Sequence, residues 1–230
     1  MGRRFDAVIF DAGGVLVIPS HEVLGPLVAR HGGDGSQSSI HRAHYAGMRA
    51  QDVHSVREQD WIVYREAFLA AAGVPDEHEV AASVELRALW ESDNDLWRWP
   101  LTESVEALHL LNAAAIPIAV VSNAEGQIAH TLARTGVCQV GPGAGANVAV
   151  VIDSHIVGVS KPDPRIFSFA IDVLGIDRSR VIYVGDSVGK DVVGARNAGL
   201  HPLHLDPYGD HHDAEHDRIS SLMDLFDWLA

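Results

Sequence analysis

The chain has 230 residues, of which 47% are hydrophobic, and carries a formal net charge of −14 at pH 7. This length and composition predict a folded protein with a substantial core and exclude a disordered chain. The acidic balance argues against general nucleic-acid binding, and no apolar run approaches the ~20 residues of a membrane span. The single cysteine, Cys138, and an N-terminus that runs straight into the first predicted strand indicate a cytoplasmic protein.

The first predicted strand ends in an aspartate. The run Val8-Ile-Phe10 is apolar without alternation, as in a strand buried on both faces of a parallel sheet. Asp11 follows it directly, and Gly13 and Gly14 form the turn after it. Because ligands of open α/β sheets bind outside the carboxyl ends of the strands, Asp11 is a candidate nucleophile or metal ligand. The less specific alternative is a carboxylate that merely ends the strand.

A block with helical spacing follows, from about His21 to Trp97. Its apolar residues recur three and four positions apart, and glycine, proline and polar stretches divide it into segments. We therefore expect a small all-helical bundle of about four helices, with no strand inside the block. The aromatic residues expected in the core of this bundle are Trp61, Tyr64, Phe68 and Trp90.

From Pro100 onward, predicted strands and helices alternate. The strands are expected at 116–121, 148–152, 181–184 and 201–205, and the helices at 104–111, 126–135, 164–174, 188–198 and 220–229. Alternation of this kind predicts a parallel sheet with helices on both faces. The predicted fold is therefore α/β, with a doubly wound core of residues 1–18 and 99–230 and an inserted all-helical domain of residues 19–98.

Side chains that can carry chemistry cluster at the predicted strand ends. Because parallel strands place their carboxyl ends on one edge of the sheet, residues far apart in sequence can meet there. A further acidic residue, Asp191, lies on the predicted helix that follows Asp186. In chain order the candidates are Asp11, Ser122, Asn123, Lys161, Asp186 and Asp191.

These residue types fit a metal-assisted phosphoryl reaction. Asp11 and Asp186, together with a backbone carbonyl, offer the oxygen ligands that Mg²⁺ prefers. Ser122 can donate a hydrogen bond to a phosphoryl oxygen, and Lys161 can pair with the same group. Asp11 can then attack in line and form an aspartyl-phosphate.

Four short motifs resemble those of the haloacid dehalogenase-like (HAD) hydrolase superfamily, and the resemblance covers nearly all of the chain. Each motif alone is weak, but the four occur in the family's order and at strand ends. They are Phe-Asp11-x-x-Gly-Val-Leu, Val-Val-Ser122-Asn, Ser-Lys161-Pro-Asp-Pro and Gly-Asp186-Ser-x-x-x-Asp191. The helical block is similar to the cap that members of this family insert after the first motif.

The resemblance implies a Rossmann-like core and a role for each matched residue. Asp11 would be the nucleophile, and Ser122, Asn123 and Lys161 would bind the substrate. The metal would be Mg²⁺, held by Asp11, Asp186 and the carbonyl of Gly13. Asp191 would support this metal site from nearby.

The chain departs from the family pattern at Gly13. Most phosphatases of the family carry a second aspartate there as general acid and base, a function that contributes roughly 10²–10⁴-fold where it operates. Three outcomes are open: another group supplies the proton, the leaving group needs little protonation, or the protein is a catalytically weak member. Besides water, the candidates for a substitute group are His21, Asp34 and His44.

The sequence therefore favours a Mg²⁺-dependent phosphatase of a small phosphorylated metabolite. The first alternative is a weak member that binds a phosphorylated ligand or a partner protein. A 2-haloacid dehalogenase is disfavoured, because such members have a tyrosine at the position of Gly13 and lack the acidic pair of the last motif. Phosphonate hydrolysis needs a cap lysine, and the two lysines, Lys161 and Lys190, lie outside the cap.

The histidine-rich stretch 211–216 contains residue types that can bind a metal ion. Its spacing, however, matches neither a helical metal site nor a zinc-finger site. We expect a solvated loop there. Neither the substrate nor the oligomeric state follows from the sequence.

Overall fold

The computed structural model describes residues 3–54, 61–93, 95–212 and 215–229. These residues form two compact units. The core unit comprises the chain up to Val17 and from Pro100 onward, and the helical unit comprises Ile18–Trp99. The predicted insertion, 19–98, is one residue shorter at each end than the helical unit. The assignment of the two units as domains stays a prediction.

The described residues contain ten strands and ten α-helices. The strands are β1 (Ala7–Phe10), β2 (Val17–Pro19), β3 (Trp97–Pro100), β4 (Ile118–Ser122), β5 (Cys138–Val140), β6 (Ala146–Val148), β7 (Val151–Asp153), β8 (Val181–Gly185), β9 (His201–Leu205) and β10 (Arg218–Ile219). The helices are α1 (His21–Arg30), α2 (Gln37–His54), α3 (Ile62–Ala71), α4 (Asp76–Ser92), α5 (Thr102–Ala113), α6 (Ile128–Arg134), α7 (Ser154–Val157), α8 (Arg165–Leu174), α9 (Val193–Asn197) and α10 (Leu225–Leu229).

The core unit is built on a six-stranded sheet with the order β10-β9-β8-β1-β4-β7. All the neighbouring strands in it are parallel. From β1 the chain proceeds to β4 and β7 on one side and later to β8, β9 and β10 on the other. This is the doubly wound α/β arrangement that the sequence predicts, and the change of direction beside β1 creates a crevice at the carboxyl edge.

Burial on both faces explains why the central strands are apolar throughout. All four residues of β1 are fully buried, as are the first four residues of β8. One face packs on α8, whose inward residues Ile166, Phe167, Ala170 and Ile171 are spaced at helical intervals. Gly175 ends this helix in the left-handed conformation (φ 65°), which costs glycine less than any residue with a Cβ.

The helical unit contains α1 to α4, in agreement with the expected all-helical insertion. Tyr64 and Phe68 are fully buried and stack on each other with ring centroids 5.9 Å apart. Trp61 and Trp90 are partly buried and pack against the same cluster. Among the described helices, none combines the length and apolar character needed to cross a membrane.

Short strands are the elements that the sequence did not predict correctly. β2 and β3, which the sequence did not predict, pair with each other at the two borders of the helical block. The strand expected at 148–152 is divided between β6, which pairs with β5, and β7, which joins the main sheet. β10 also extends the sheet beyond the strand predicted as last. Segments of two to four residues show too little periodicity to be recognised.

Candidate active site

The sheet register brings the predicted residues to one edge. Phe10 of β1 lies opposite Val120 of β4 and Val184 of β8. Asp11 and Asp186 follow one and two positions beyond this line, and Ser122 is the last, buried residue of β4. The convergence that the motif order implied is therefore a direct result of parallel pairing.

Asp11 is held from both sides of the turn after β1. Its backbone N–H donates to the carbonyl of Val184 at 2.8 Å. Its side-chain Oδ1 accepts a hydrogen bond from the N–H of Ala12 at 2.7 Å, and Oδ2 faces the Nζ of Lys161 at 2.8 Å. Gly14 turns the chain with a φ of 74°, whereas Gly13 lies outside the left-handed region. Asp11 is 8% exposed, so its side chain is buried at the carboxyl edge of the sheet.

Lys161 lies at the centre of the cluster and is 1% exposed. Its ammonium contacts three oxygens: Oδ2 of Asp11 at 2.8 Å, Oδ1 of Asp191 at 2.8 Å and the hydroxyl of Tyr183 at 2.9 Å. An ammonium has three N–H donors, so this arrangement satisfies all of them. Burial opposes the charged form, but Asp11 and Asp191 outweigh it and raise the pKa of Lys161.

Asn123 fixes the backbone at Lys161. Its side-chain Nδ2 donates to the carbonyl of Lys161 at 3.0 Å, and its Oδ1 accepts from the N–H of Lys161 at 2.8 Å. Two hydrogen bonds to one residue lock the loop that carries the lysine beside the end of β4. Asn123 therefore acts on the lysine, while the substrate contact expected of it stays a prediction.

Asp191 uses both carboxylate oxygens within the cluster. Oδ1 accepts from Lys161 and from the hydroxyl of Tyr183, the latter at 2.7 Å, and Oδ2 accepts from the N–H of Ser187 at 3.1 Å. Burial, followed by the charge of Asp191, raises the pKa of Tyr183 well above its ordinary value, so the hydroxyl keeps its proton and donates. The supporting role expected of Asp191 at a metal site stays a prediction.

The carboxyl groups form a buried acidic cluster that suits a divalent cation. Asp11, Asp186 and Asp191 offer oxygens that lie within 4.8 Å of one another. Burial raises the pKa of Asp11 to about 7; the neighbouring carboxylates add to this effect, and Lys161 opposes it. Three buried carboxyl groups face one ammonium, and oxygen is the donor that Mg²⁺ prefers. The residues present therefore fit such an ion.

Gly185 is required for the close approach of Asp191. A Cβ at Gly185 would overlap the side chain of Asp191. We expect Gly185→Ala to lower the free energy of unfolding by roughly 1–3 kcal/mol, as overpacked cores do, and to displace the acidic residue. Urea unfolding and initial rates would measure both effects.

Gly136→Ala is the matched control for that variant. It adds a methyl group where nothing lies within 4 Å, at a left-handed φ of 74°. It should cost stability without changing turnover. Equal turnover in the two alanine variants would contradict the steric role assigned to Gly185.

The candidate substitute acids lie in the helical unit. Nδ1 of His44 is hydrogen-bonded to the hydroxyl of Tyr64 at 2.8 Å, inside the buried cluster of that unit. Both carboxylate oxygens of Asp34 bind Ser36, at the turn before α2. The ring of His21 contacts Trp99 edge-on, with centroids 4.2 Å apart. A role of any of them as proton donor stays a prediction.

The histidine-rich stretch differs from the expected solvated loop. The side chain of His211 is 12% exposed and lies 3.8 Å from the carboxylate of Asp206. It packs edge-on to His204, whose Nδ1 is 2.9 Å from Nε2 of His216. The expectation was wrong for these two loop histidines because spacing does not show their partners at the end of β9. Asp213 and Ala214 lie outside the described residues.

Tyr183 is the site residue that sequence reasoning missed. In the run Val-Ile-Tyr-Val-Gly it looks like an ordinary core residue of a buried strand. The available signal was chemical, because a fully buried tyrosine needs a hydrogen-bond partner for its hydroxyl. The sequence contains no local partner, and the structure supplies Lys161 and Asp191.

A doubly wound sheet with a buried lysine among carboxylates at its carboxyl edge places this cluster where α/β proteins commonly bind their ligands. The model of the haloacid dehalogenase-like hydrolases matches residues 5–199, and the chain belongs to this family. The expected resemblance is thereby confirmed, and the protein is a hydrolase by family membership.

Individual relatives align with this chain over only part of their own length. The chain is 32% identical over 145 residues to a phosphoserine phosphatase of Thermus thermophilus, covering 63% of this chain and 53% of that protein. It is 30% identical over 156 residues to haloacid dehalogenase-like hydrolase domain-containing protein 3 of Bos taurus, covering 65% and 59%. The chain thus spans little more than half the length of these curated relatives.

Solved structures share the fold over the whole chain. A HAD phosphatase from Thermococcus onnurineus superposes with a TM-score of 0.59 at 21% identity, covering 98% of both chains. The L-2-haloacid dehalogenase of Xanthobacter autotrophicus gives a TM-score of 0.55 at 19% identity, covering 96% of both. Because phosphatases and dehalogenases share this fold, the residues of the site must distinguish the two reactions.

Proposed function

We propose that this hydrolase is a Mg²⁺-dependent phosphatase that acts on a small phosphorylated metabolite through an aspartyl-phosphate on Asp11. The observation that carries the proposal is the 2.8 Å contact between Lys161 Nζ and Asp11 Oδ2 inside the buried acidic cluster. Relatives named as phosphatases support it, among them a glyceraldehyde 3-phosphate phosphatase of Methanopyrus kandleri, 36% identical over 90 residues (35% of this chain, 39% of that protein).

Asp11 acts first as the nucleophile. One of its carboxylate oxygens attacks phosphorus, the bond from phosphorus to the substrate oxygen breaks, and the leaving group takes up a proton. Ser122 holds a phosphoryl oxygen, and Lys161 turns to the phosphoryl group the N–H that faces Asp11 in the substrate-free site. The ammonium also offsets repulsion between Asp11 and the incoming anion. Water then attacks phosphorus, releases inorganic phosphate and regenerates the carboxylate.

The metal completes the charge balance. Asp11, Asp186 and the carbonyl of Gly13 would hold Mg²⁺, and Asp191 would support them through Lys161 and the backbone of Ser187. When bound, the ion neutralises negative charge on the transferring phosphoryl group. The grouping of the three buried carboxyl groups around one ammonium supports this requirement, because a divalent cation would offset the repulsion between them.

The proton for the leaving group has no donor at Gly13. Water or a residue of the helical unit would supply it, and turnover is expected to be slow with poor leaving groups. Gly13 is also the observation that favours the second candidate, a weak member that binds a phosphorylated ligand or a partner protein. The retained lysine and acidic cluster favour catalysis, because a scaffold has no physical need for both.

Dehalogenation is less well supported by the residues. The chain has glycine rather than tyrosine at position 13, and it keeps the acidic pair Asp186 and Asp191 at the crevice. We also infer a cytoplasmic location, with neither a nucleic acid nor a membrane as a partner. The acidic composition and the single cysteine support this inference.

Phosphate release from a panel of small phosphoesters tests the proposal. With Mg²⁺, at least one substrate should give steady turnover that a chelator removes and added Mg²⁺ restores. Beryllofluoride, which mimics an acyl phosphate, should bind and inhibit only when Mg²⁺ is present. Tight beryllofluoride binding without turnover would favour the second candidate, and neither binding nor turnover in folded, Mg²⁺-loaded protein would contradict both.

A further inference from the structure

We infer that Tyr183 is a positioning residue that orients the ammonium of Lys161 toward Asp11 for phosphoryl transfer. The inference rests on the proposed function, since it assigns a part to a residue behind the same site. Neither the family motifs nor the sequence pattern pointed to this tyrosine.

Tyr183 is placed by the strand next to the nucleophile. It is the third residue of β8 and lies opposite Ile9 of β1, two positions before Asp11. Side chains two positions apart point to the same face of a sheet, so the phenol extends under the loop that carries Asp11. Its ring is fully buried and packs edge-on against Phe167, with centroids 4.9 Å apart at 90°.

The hydroxyl connects the lysine to the last motif. It accepts a hydrogen bond from Lys161 Nζ at 2.9 Å and donates to Asp191 Oδ1 at 2.7 Å. A longer contact of 3.4 Å leads to the carbonyl of Val121, the residue before Ser122. One phenol thus contacts the three segments that hold the second, third and fourth motifs.

The hydroxyl determines where the ammonium points. Two of the three N–H groups of Lys161 are held by Tyr183 and Asp191, which leaves the third directed at Asp11. Without the hydroxyl, a buried N–H group would lose its acceptor, a costly state. The ammonium would then rotate to share the remaining carboxylates, and its direction toward the phosphoryl group would no longer be fixed.

Tyr183→Phe separates orientation from packing, because phenylalanine keeps the ring against Phe167. We expect kcat to fall by roughly 10- to 100-fold, the range for loss of a hydrogen bond to a charged group, with a smaller change in KM. Mg²⁺-dependent affinity for beryllofluoride should fall as well, because the same ammonium faces the acyl-phosphate mimic.

Nitrogen NMR of the lysine side chains gives a readout that does not depend on turnover. The chain contains only Lys161 and Lys190, so ¹⁵N-lysine labelling yields two Nζ signals, and Lys190→Arg assigns them. In the unaltered protein the Lys161 ammonium should exchange its protons with water more slowly than Lys190. In Tyr183→Phe the Lys161 signal should shift and exchange faster, while the Lys190 signal stays the same.

Thr135→Val is the control for loss of a hydroxyl hydrogen bond elsewhere in the core unit. The Thr135 hydroxyl donates to the carbonyl of Thr131 at 2.7 Å, just after the last residue of α6. This variant should lose stability but keep kcat and the Lys161 signal. If kcat in both variants falls only in proportion to their melting temperatures, Tyr183 is merely structural and the inference is wrong.

The outcomes separate this inference from the proposed function. Wild-type turnover in Tyr183→Phe, with an unchanged Lys161 signal, overturns the positioning role and leaves the phosphatase proposal standing. If no phosphoester is a substrate, the phosphatase proposal fails and the NMR comparison still decides whether Tyr183 orients Lys161. Equal proton exchange of Lys161 and Lys190 in the unaltered protein overturns the inference without any variant at Tyr183.

Discussion

Asp11→Asn is expected to abolish phosphate release and to leave the fold intact. Asparagine has the same shape and keeps a side-chain oxygen that can accept from the N–H of Ala12, but its amide cannot attack phosphorus. Loss of a nucleophile typically costs on the order of 10³-fold or more in kcat. Initial rates, with circular dichroism as the control for folding, measure the two parts. Turnover near the wild-type rate would rule out covalent catalysis by this residue.

The same variant should change how the stability of the metal-free protein depends on pH. The pKa of Asp11 is raised from 3.8 to about 7, so without metal the folded protein binds one proton more than the unfolded chain between about pH 4 and pH 7. The stability linked to this carboxyl is therefore complete below pH 4 and is lost as the pH rises through 7. Relative to the parent protein, Asp11→Asn should become more stable over that interval, as urea unfolding at several pH values would show.

The fold was predictable because its main signals are local. The apolar run before Asp11 and the apolar helix α8 show their burial directly in their residues. The convergence of the motifs also followed from sequence, since parallel strands end on one edge whatever the loops do. The pairing of β2 with β3 was not predictable, because these two short segments are separated in sequence by all four helices α1 to α4.

The contacts between the side chains of the site were less predictable than the identity of its residues. Sequence order brought Lys161 and Asp191 into one cluster, but it could not show that both contact the hydroxyl of Tyr183. Sequence likewise could not show that the amide of Asn123 binds the backbone of Lys161. Side-chain direction depends on packing between distant elements, and one sequence carries little information about that packing.

Gly13→Asp is expected to raise kcat, because it supplies the carboxyl group that most phosphatases of the family carry at this position. If proton transfer to the leaving group limits the reaction, the gain should be roughly 10²-fold and reach 10⁴-fold for poor leaving groups. The backbone permits the change, since Gly13 is only partly buried and its φ lies outside the left-handed region occupied by Gly14. Phosphoesters of graded leaving-group pKa would show the dependence.

Gly13→Ala is the matched control, since it adds a Cβ and no carboxyl group. A faster Gly13→Asp enzyme beside an unchanged Gly13→Ala enzyme would show that the missing acid limits turnover in the natural chain. The gain should be largest for alcohols of high pKa, because these leaving groups need a proton most. If the two variants turn over equally, the proton already has another donor, and the search for it belongs among His21, Asp34, His44 and bound water.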